Sequence, residues 1–222
     1  MDNRLFIFRL EDFQQQKKME SRKGKNILNI KERQNRMKEL DRCIRRCRKC
    51  PLHKIRKHAV PGEGPVVAEM FFIGEAPGAE EDKMGRPFVG RSGIIFNKLL
   101  AAAGIKRQDV YITSTVKCRP PNNRKPKEME LKICRNNWLD NQIELVNPPV
   151  IVLLGQTACQ LMMKEKKPLN KLHGKLYRVD NRNFFVTFHP AAAMRFPLLK
   201  RKMQQDLKAA GKLVERINAK KI

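Results

Sequence analysis

Beyond Cys50 the chain alternates short β-branched or aromatic runs with helix-length segments, an order that few folds satisfy. Val66 to Ile73 is an apolar run that ends in Gly74-Glu75-Ala76-Pro77-Gly78, and Ser92 to Ala103 then reads as a helix stopped by Gly104. Val110 to Val116 and Val150 to Leu154 read as further strands, Pro126 to Val146 as a long helix entered through proline, and Thr157 to Lys164 as a short one. Tyr177 to Val179 and Phe184 to Phe188 follow as strands joined through Asp180-Asn181-Arg182-Asn183, before a last helix from Pro197 to near Ile217. Strands alternating with helices predict a mostly parallel sheet covered on both faces, with ligands near the carboxyl ends of the strands. The loops after Ile73 and Phe188 both sit at such ends.

At 222 residues the chain suits one α/β domain with appendages. Its formal charge of +26 favours polyanionic partners, nucleic acid or an anionic surface. No apolar run approaches the roughly 18 residues that span a bilayer, so the chain reads as cytoplasmic, with no membrane partner. Residues 1–36 are polar and charge-rich and read as a basic extension, either a solvated arm or one that grips DNA; residues 37–222 read as the functional domain.

Six cysteines are too few and too unevenly placed for a small disulfide scaffold. Cys47 and Cys50 form a C-x2-C pair, and Cys118 and Cys134 stand far downstream, separated by a stretch rich in Pro, Asn, Arg and Lys. Adjacent thiolates can grip one corner of a metal site while two distant ones close the other side. Four thiolates suit either a [4Fe–4S] cluster or structural zinc, and the wide second spacing favours the cluster. Cys43 falls outside this pattern; Cys159, beside Ala158 and Leu161, reads as a buried core thiol.

Two loops carry candidate chemistry. The Gly74–Gly78 loop is followed by Glu80-Glu81-Asp82 and Gly85-Arg86-Pro87-Phe88-Val89-Gly90, whose glycines allow close backbone approach to a ligand. His189-Pro190-Ala191-Ala192-Ala193-Met194-Arg195 places a histidine at a strand end with small residues behind it, fitting either a structural or a catalytic imidazole.

Taken in order, the C-x2-C pair, Val60-Pro61-Gly62-Glu63-Gly64, these two glycine loops, Lys117-Cys118-Arg119-Pro120-Pro121, Cys134 and the His189 loop resemble the family 4 uracil-DNA glycosylases across residues 37–217. The resemblance implies an α/β/α sandwich around a short parallel sheet. It also implies a [4Fe–4S] cluster held by Cys47, Cys50, Cys118 and Cys134, structural or DNA-positioning in role. The implied activity is excision of uracil from single- and double-stranded DNA in base excision repair, by a DNA-associated monomer.

Such chemistry requires the nucleotide to be flipped out of the stack. Uracil leaves as an anion while the sugar gains positive character, so the site needs a donor at the uracil oxygen and a negative or water-holding group near the sugar. His189 fits the first need and Glu75 the second, with plain loop charge as the rival reading of Glu75. By resemblance Phe88 stacks on the flipped base, the Ala76 region offers backbone groups to base and water, and Glu81 crowds the place of a thymine methyl unless it too is loop charge.

Two departures stand out. Where relatives read T-N-V-V-K-C, this chain reads Thr113-Ser114-Thr115-Val116-Lys117-Cys118, and a serine hydroxyl cannot make the two-point contact of an amide. Ala193 stands where relatives often carry Leu, which shifts the role of DNA wedge to Met194 or Arg195 unless these only pack a helix face. Phosphate contacts are expected from the basic stretch Lys200 to Lys221, from the arm before Cys47 and from Arg119, Arg124 and Lys125, unless any of these is solubilising charge alone. Two other functions remain open from sequence: excision of another deaminated base such as hypoxanthine, which Ser114 invites, and non-catalytic binding of nucleic acid by a metal-stapled basic surface.

Overall fold

The computed structural model describes residues 28–219. Five strands form one sheet in the order β2-β1-β3-β5-β4: β1 Met70–Gly74, β2 Tyr111–Ser114, β3 Val150–Leu154, β4 Leu176–Val179 and β5 Arg182–Thr187. The first four strands in that order run parallel and β4 closes the edge antiparallel to β5. Between β4 and β5, Asp180 and Asn181 both hold positive φ, 48° and 59°, a pairing whose twist matches a tight two-residue hairpin.

Side chains along the strands alternate between two cores. Phe71, Ile73, Ile151 and Leu153 face one layer; Met70, Phe72, Val150, Val152 and Leu154 face the other. The first layer holds α1 Ile30–Arg45, α4 Glu128–Cys134, α5 Asp140–Val146 and α6 Gln156–Met163; the second holds α3 Arg91–Ala102 and α9 Pro197–Ala219. Shorter helices, α2 Ala79–Met84, α7 Leu169–Leu172 and α8 Pro190–Arg195, sit in the connections. The architecture is the expected three-layer sandwich.

Several boundaries differ from the sequence reading for local reasons. Helix α1 begins at Ile30, inside the stretch read as an extension, because Asn29 and Glu32 close a reciprocal capping box at 2.8 and 2.9 Å. Arg33 then fastens α1 to the body by donating to the Leu145, Val146 and Val66 carbonyls, two of them at the end of α5. Residues 1–27 of that extension lie outside the described residues, as do Lys220 and Lys221. The segment expected as one helix from Pro126 to Val146 starts at Glu128, where Glu130 accepts from the Lys127 N–H at 2.7 Å, and a π-helical turn at Arg135–Leu139 interrupts it just after Cys134. Strand β2 ends at Ser114 rather than Val116 because the following residues turn away toward the cysteines.

Candidate active site and four-cysteine centre

The carboxyl ends of β1, β2 and β5 open on a cavity of about 500 Å³. Glu75, Ala76, Glu81, Phe88, Ser114, His189 and Arg195 all line it, so seven of the eight residues singled out for catalysis and base contact meet in one place. Met194 does not line the cavity and points outward, 37% exposed.

Glu81 is buried, and its carboxylate accepts three backbone N–H groups, from Gly78 at 3.0 Å, Val89 at 3.0 Å and Gly90 at 2.8 Å. It straps the two glycine loops together, a job legible only once the loops are seen side by side. Phe88, between them, sits at φ 51°, a left-handed conformation that costs energy in a residue with a side chain. Gly93 makes room for it, since a Cβ there would stand 2.0 Å from the Phe88 carbonyl oxygen. At Gly74 a Cβ would meet the Phe88 ring at 2.7 Å. The ring packs on Phe96 at 5.0 Å and faces the His189 ring at 5.8 Å.

His189 caps the N-terminus of α8: its Nδ1 accepts from the Ala191 N–H at 3.2 Å. In the neutral ring the proton therefore resides on Nε2, which is left as a donor. Burial holds the imidazole below its ordinary pKa, with the carboxylates of Glu75 and Glu81 pulling the other way. Glu75 accepts a hydrogen bond from Thr157 Oγ1, and its carbonyl accepts from Thr115. Gly155, at φ 93°, lets β3 turn beneath His189, because a Cβ there would lie 3.1 Å from the His189 Cβ. Sequence reasoning missed Gly155 and Thr157, although a Gly-Gln-Thr step directly after a buried strand marks the same strand-end position as the other two loops. It also missed Phe196, which lines the mouth and is 56% exposed.

The four cysteines expected as ligands lie in one region, although among the described residues no group of three or more His, Cys, Asp or Glu is set to hold a metal ion. Cys47, Cys118 and Cys134 are buried and Cys50 is partly so, and their ionisations influence one another. Burial pushes the thiols of Cys118 and Cys134 up, to about 11 and about 12, so without a cation among them these groups stay protonated. Donors nevertheless point at sulfur: Arg56 at Cys118 (2.9 Å), the Lys117 N–H at Cys134 (3.3 Å) and the Lys49 N–H at Cys47 (3.5 Å). A set of thiols with N–H groups and a guanidinium aimed at their sulfurs fits an anionic iron–sulfur centre. Cys159 lies apart and fully buried on α6 with its thiol pushed up to about 12, the core residue the sequence suggested. The loop between Cys118 and Cys134 also lends Pro120, Asn123 and Arg124 to the cavity rim. Arg124, expected at phosphate, holds the buried Glu130 through two bonds of 2.9 and 2.7 Å. Among the described residues no helix is long and apolar enough to cross a membrane.

The family model described as the uracil DNA glycosylase superfamily matches residues 61–210. The type-4 uracil-DNA glycosylase of Archaeoglobus fulgidus is 41% identical over 188 residues, 80% of this chain and 94% of that protein. That of Pyrobaculum aerophilum is 42% identical over 179 residues, covering 77% and 91%. That of Thermotoga maritima is 44% identical over 165 residues, covering 73% and 85%.

Proposed function

The chain belongs to the uracil DNA glycosylase superfamily, and from that premise we propose that it hydrolyses the N-glycosidic bond of uracil in DNA, leaving an abasic site for repair. The observation that carries this reading is a single cavity in which an imidazole Nε2–H, a stacking ring and a strand-end hydroxyl converge.

The flipped uracil lies against Phe88, with its edge toward Ser114 and the backbone near Ala76. As the glycosidic bond breaks, negative charge builds on the base, and the neutral His189 N–H donates to the uracil oxygen that receives it. Glu75, held by Thr157, faces the sugar and orients the attacking water. Glu81 fixes the loops that set the width of the cavity, which supports its role in excluding a methylated base through the wall it stabilises. Arg195 and Met194 are the wedge candidates that face DNA, and Phe196 adds an apolar edge beside them.

Cys47, Cys50, Cys118 and Cys134 would hold a [4Fe–4S] cluster, whose contribution would be to cross-link the C-x2-C turn that follows α1, the start of the loop that forms the cavity rim and the end of α4. The +26 charge supports single- and double-stranded DNA as the partner. The protein acts as a DNA-associated monomer in the cytoplasm.

The test is incubation of purified protein with DNA bearing one uracil, followed by alkali. Strand cleavage at uracil, with normal DNA intact, is the expected result; intact uracil DNA overturns the reading and leaves a non-catalytic binder. Ser114 favours one further arm, DNA bearing inosine, because a hydroxyl can donate or accept where an amide edge would select. Ser114→Asn is expected to raise uracil excision from single-stranded DNA, and a fall would show that the position does not read the base.

A further inference from the structure

Lys117 is a charge that the excision chemistry does not use. It is 1% exposed, and its ammonium donates to Thr113 Oγ1 at 2.5 Å and to the Ser114 carbonyl at 2.9 Å. The Thr113 hydroxyl passes its own proton on to the Pro61 carbonyl at 2.6 Å, an oxygen that Gln142 also reaches. The main chain of the same lysine is occupied on both sides. Its N–H points at Cys134 Sγ (3.3 Å) and its carbonyl accepts from the N–H of Val60, a residue of the cavity wall (2.7 Å).

Packing alone does not account for this residue. A fully buried ammonium loses its hydration, whereas a methionine of similar length would fill the space at no such cost. The ionisable groups that face it are Cys134, Asp41 and Cys118, and one oxygen of Asp41 is buried without a partner. What the ammonium does hold is the end of β2. Ser114 is the last residue of that strand and lines the cavity; Thr115, next along, donates its N–H to the Gly74 carbonyl and its hydroxyl to that of Glu75. One short segment therefore supports the base-reading residue, the backbone of the sugar-facing carboxylate and a cysteine of the metal centre.

We propose that Lys117 is a positioning residue, which holds Ser114 from inside the protein and, through its N–H on Cys134, sets the recognition edge of the cavity in register with the four-cysteine centre. The proposal rests on the uracil-excision reading. Without the ammonium the Ser114 carbonyl loses its donor and that peptide is held only from its other side, by the Thr115 N–H on the Gly74 carbonyl; a displacement near an ångström at a reacting pocket lowers the rate by about a hundredfold.

The experiment compares wild type, Lys117→Met, Thr113→Val and Thr113→Ser, each purified with its iron. Iron content, visible absorption, and kcat and KM on single-stranded uracil DNA are measured. Lys117→Met is expected to keep the iron and the absorption, to hold KM within about threefold, and to lose about 10- to 100-fold in kcat. Thr113→Val loses activity in the same direction, and Thr113→Ser, which restores the hydroxyl, returns to within about threefold of wild type. The proposal is overturned if Lys117→Met keeps full kcat, if its loss only tracks missing iron, or if the two Thr113 variants lose equally. Should Lys117→Met fail to fold, the Thr113 pair decides alone. Wild type that releases no uracil overturns the functional reading itself, an outcome distinct from variants that match an active parent.

Discussion

Two walls of one cavity are held in opposite ways. The wall after β1 is immobilised: Glu81 gathers three backbone N–H groups, Phe88 is wedged at φ 51° against Gly93 and Gly74, and Arg107 grips the Pro87 carbonyl at 2.7 Å. Across from it, the segment from His189 to Phe196 is held by the His189 cap and by buried Pro190 and Ala193 where α8 packs on α3 and α9, while Met194 and Phe196 face outward. The contrast separates two tasks. Selecting a flat base requires a slot whose width does not yield, whereas delivering a donor and meeting DNA requires groups presented at the surface. The first wall concerns shape and the second concerns charge and contact.

The sharpest way to break this division is to remove the donor. His189→Ala is expected to lower kcat by about 10²- to 10³-fold, as loss of a single oxyanion donor does, with a fall of only a few degrees in melting temperature from the lost cap of α8. A loss below threefold would move the chemistry to the other wall. Glu81→Gln should behave differently, because the amide nitrogen cannot accept from the N–H groups it faces. A charged acceptor contributes about 1.5–3 kcal/mol per bond, so a fall of several degrees in melting temperature is expected together with about a tenfold loss of kcat. Unchanged stability would show that the strap is not what holds the first wall.

The two walls were not equally legible in the sequence. The hydrophobic runs and the loops at strand ends follow from local patterns and led to a mostly parallel sheet with a site at its carboxyl ends, while Ala76, Glu81, Phe88 and Ser114 came from the resemblance and line one cavity in the structure, which leaves Met194 outside it. What escaped were features that exist only between segments. Glu81 stood as either a carboxylate that crowds a thymine methyl or plain loop charge, and its role as a strap escaped because its three partners lie three to nine residues away and converge only after the loop has folded. Gly155 carried no signal of its own, because the His189 that comes to rest on it arrives from beyond the end of a different strand. Lys117 entered only as the neighbour of Cys118 in a motif, since nothing in the residues around it announces complete burial. The start of α1 was missed for a different reason: its capping box is local and visible as Asn29-x-x-Glu32, but the charge-rich stretch around it masked the apolar positions Met37, Leu40 and Ile44 that pack the helix down.

A smaller effect is expected where the two walls meet the floor. At Gly155→Ala the new methyl lies 3.1 Å from the His189 Cβ, and φ 93° is a conformation that residues with a Cβ avoid, so the loop must shift. About a fivefold loss in kcat with little change in KM is the expected result, since the donor moves but the slot does not. An equal rise in KM would mean that the floor shapes the slot as well.

The smallest effect, and the most diagnostic, concerns pH. Burial lowers the His189 pKa, so the neutral ring persists as pH falls through the ordinary histidine value of about 6.5. If the neutral Nε2–H is the donor, kcat stays level from pH 8 to below 6.5 and declines only when the imidazolium forms and the Nδ1 that caps α8 gains a proton it cannot place. Stability follows the same sign: with the folded pKa depressed, this group's contribution is intact above the unfolded value and is lost as pH drops through the folded one. Measuring kcat and melting temperature together across that range tests both. A kcat that climbs as the medium turns acid would make the imidazolium the donor, and the carboxylates of Glu75 and Glu81, which favour that charge, would then take part in the chemistry from the immobile side of the cavity.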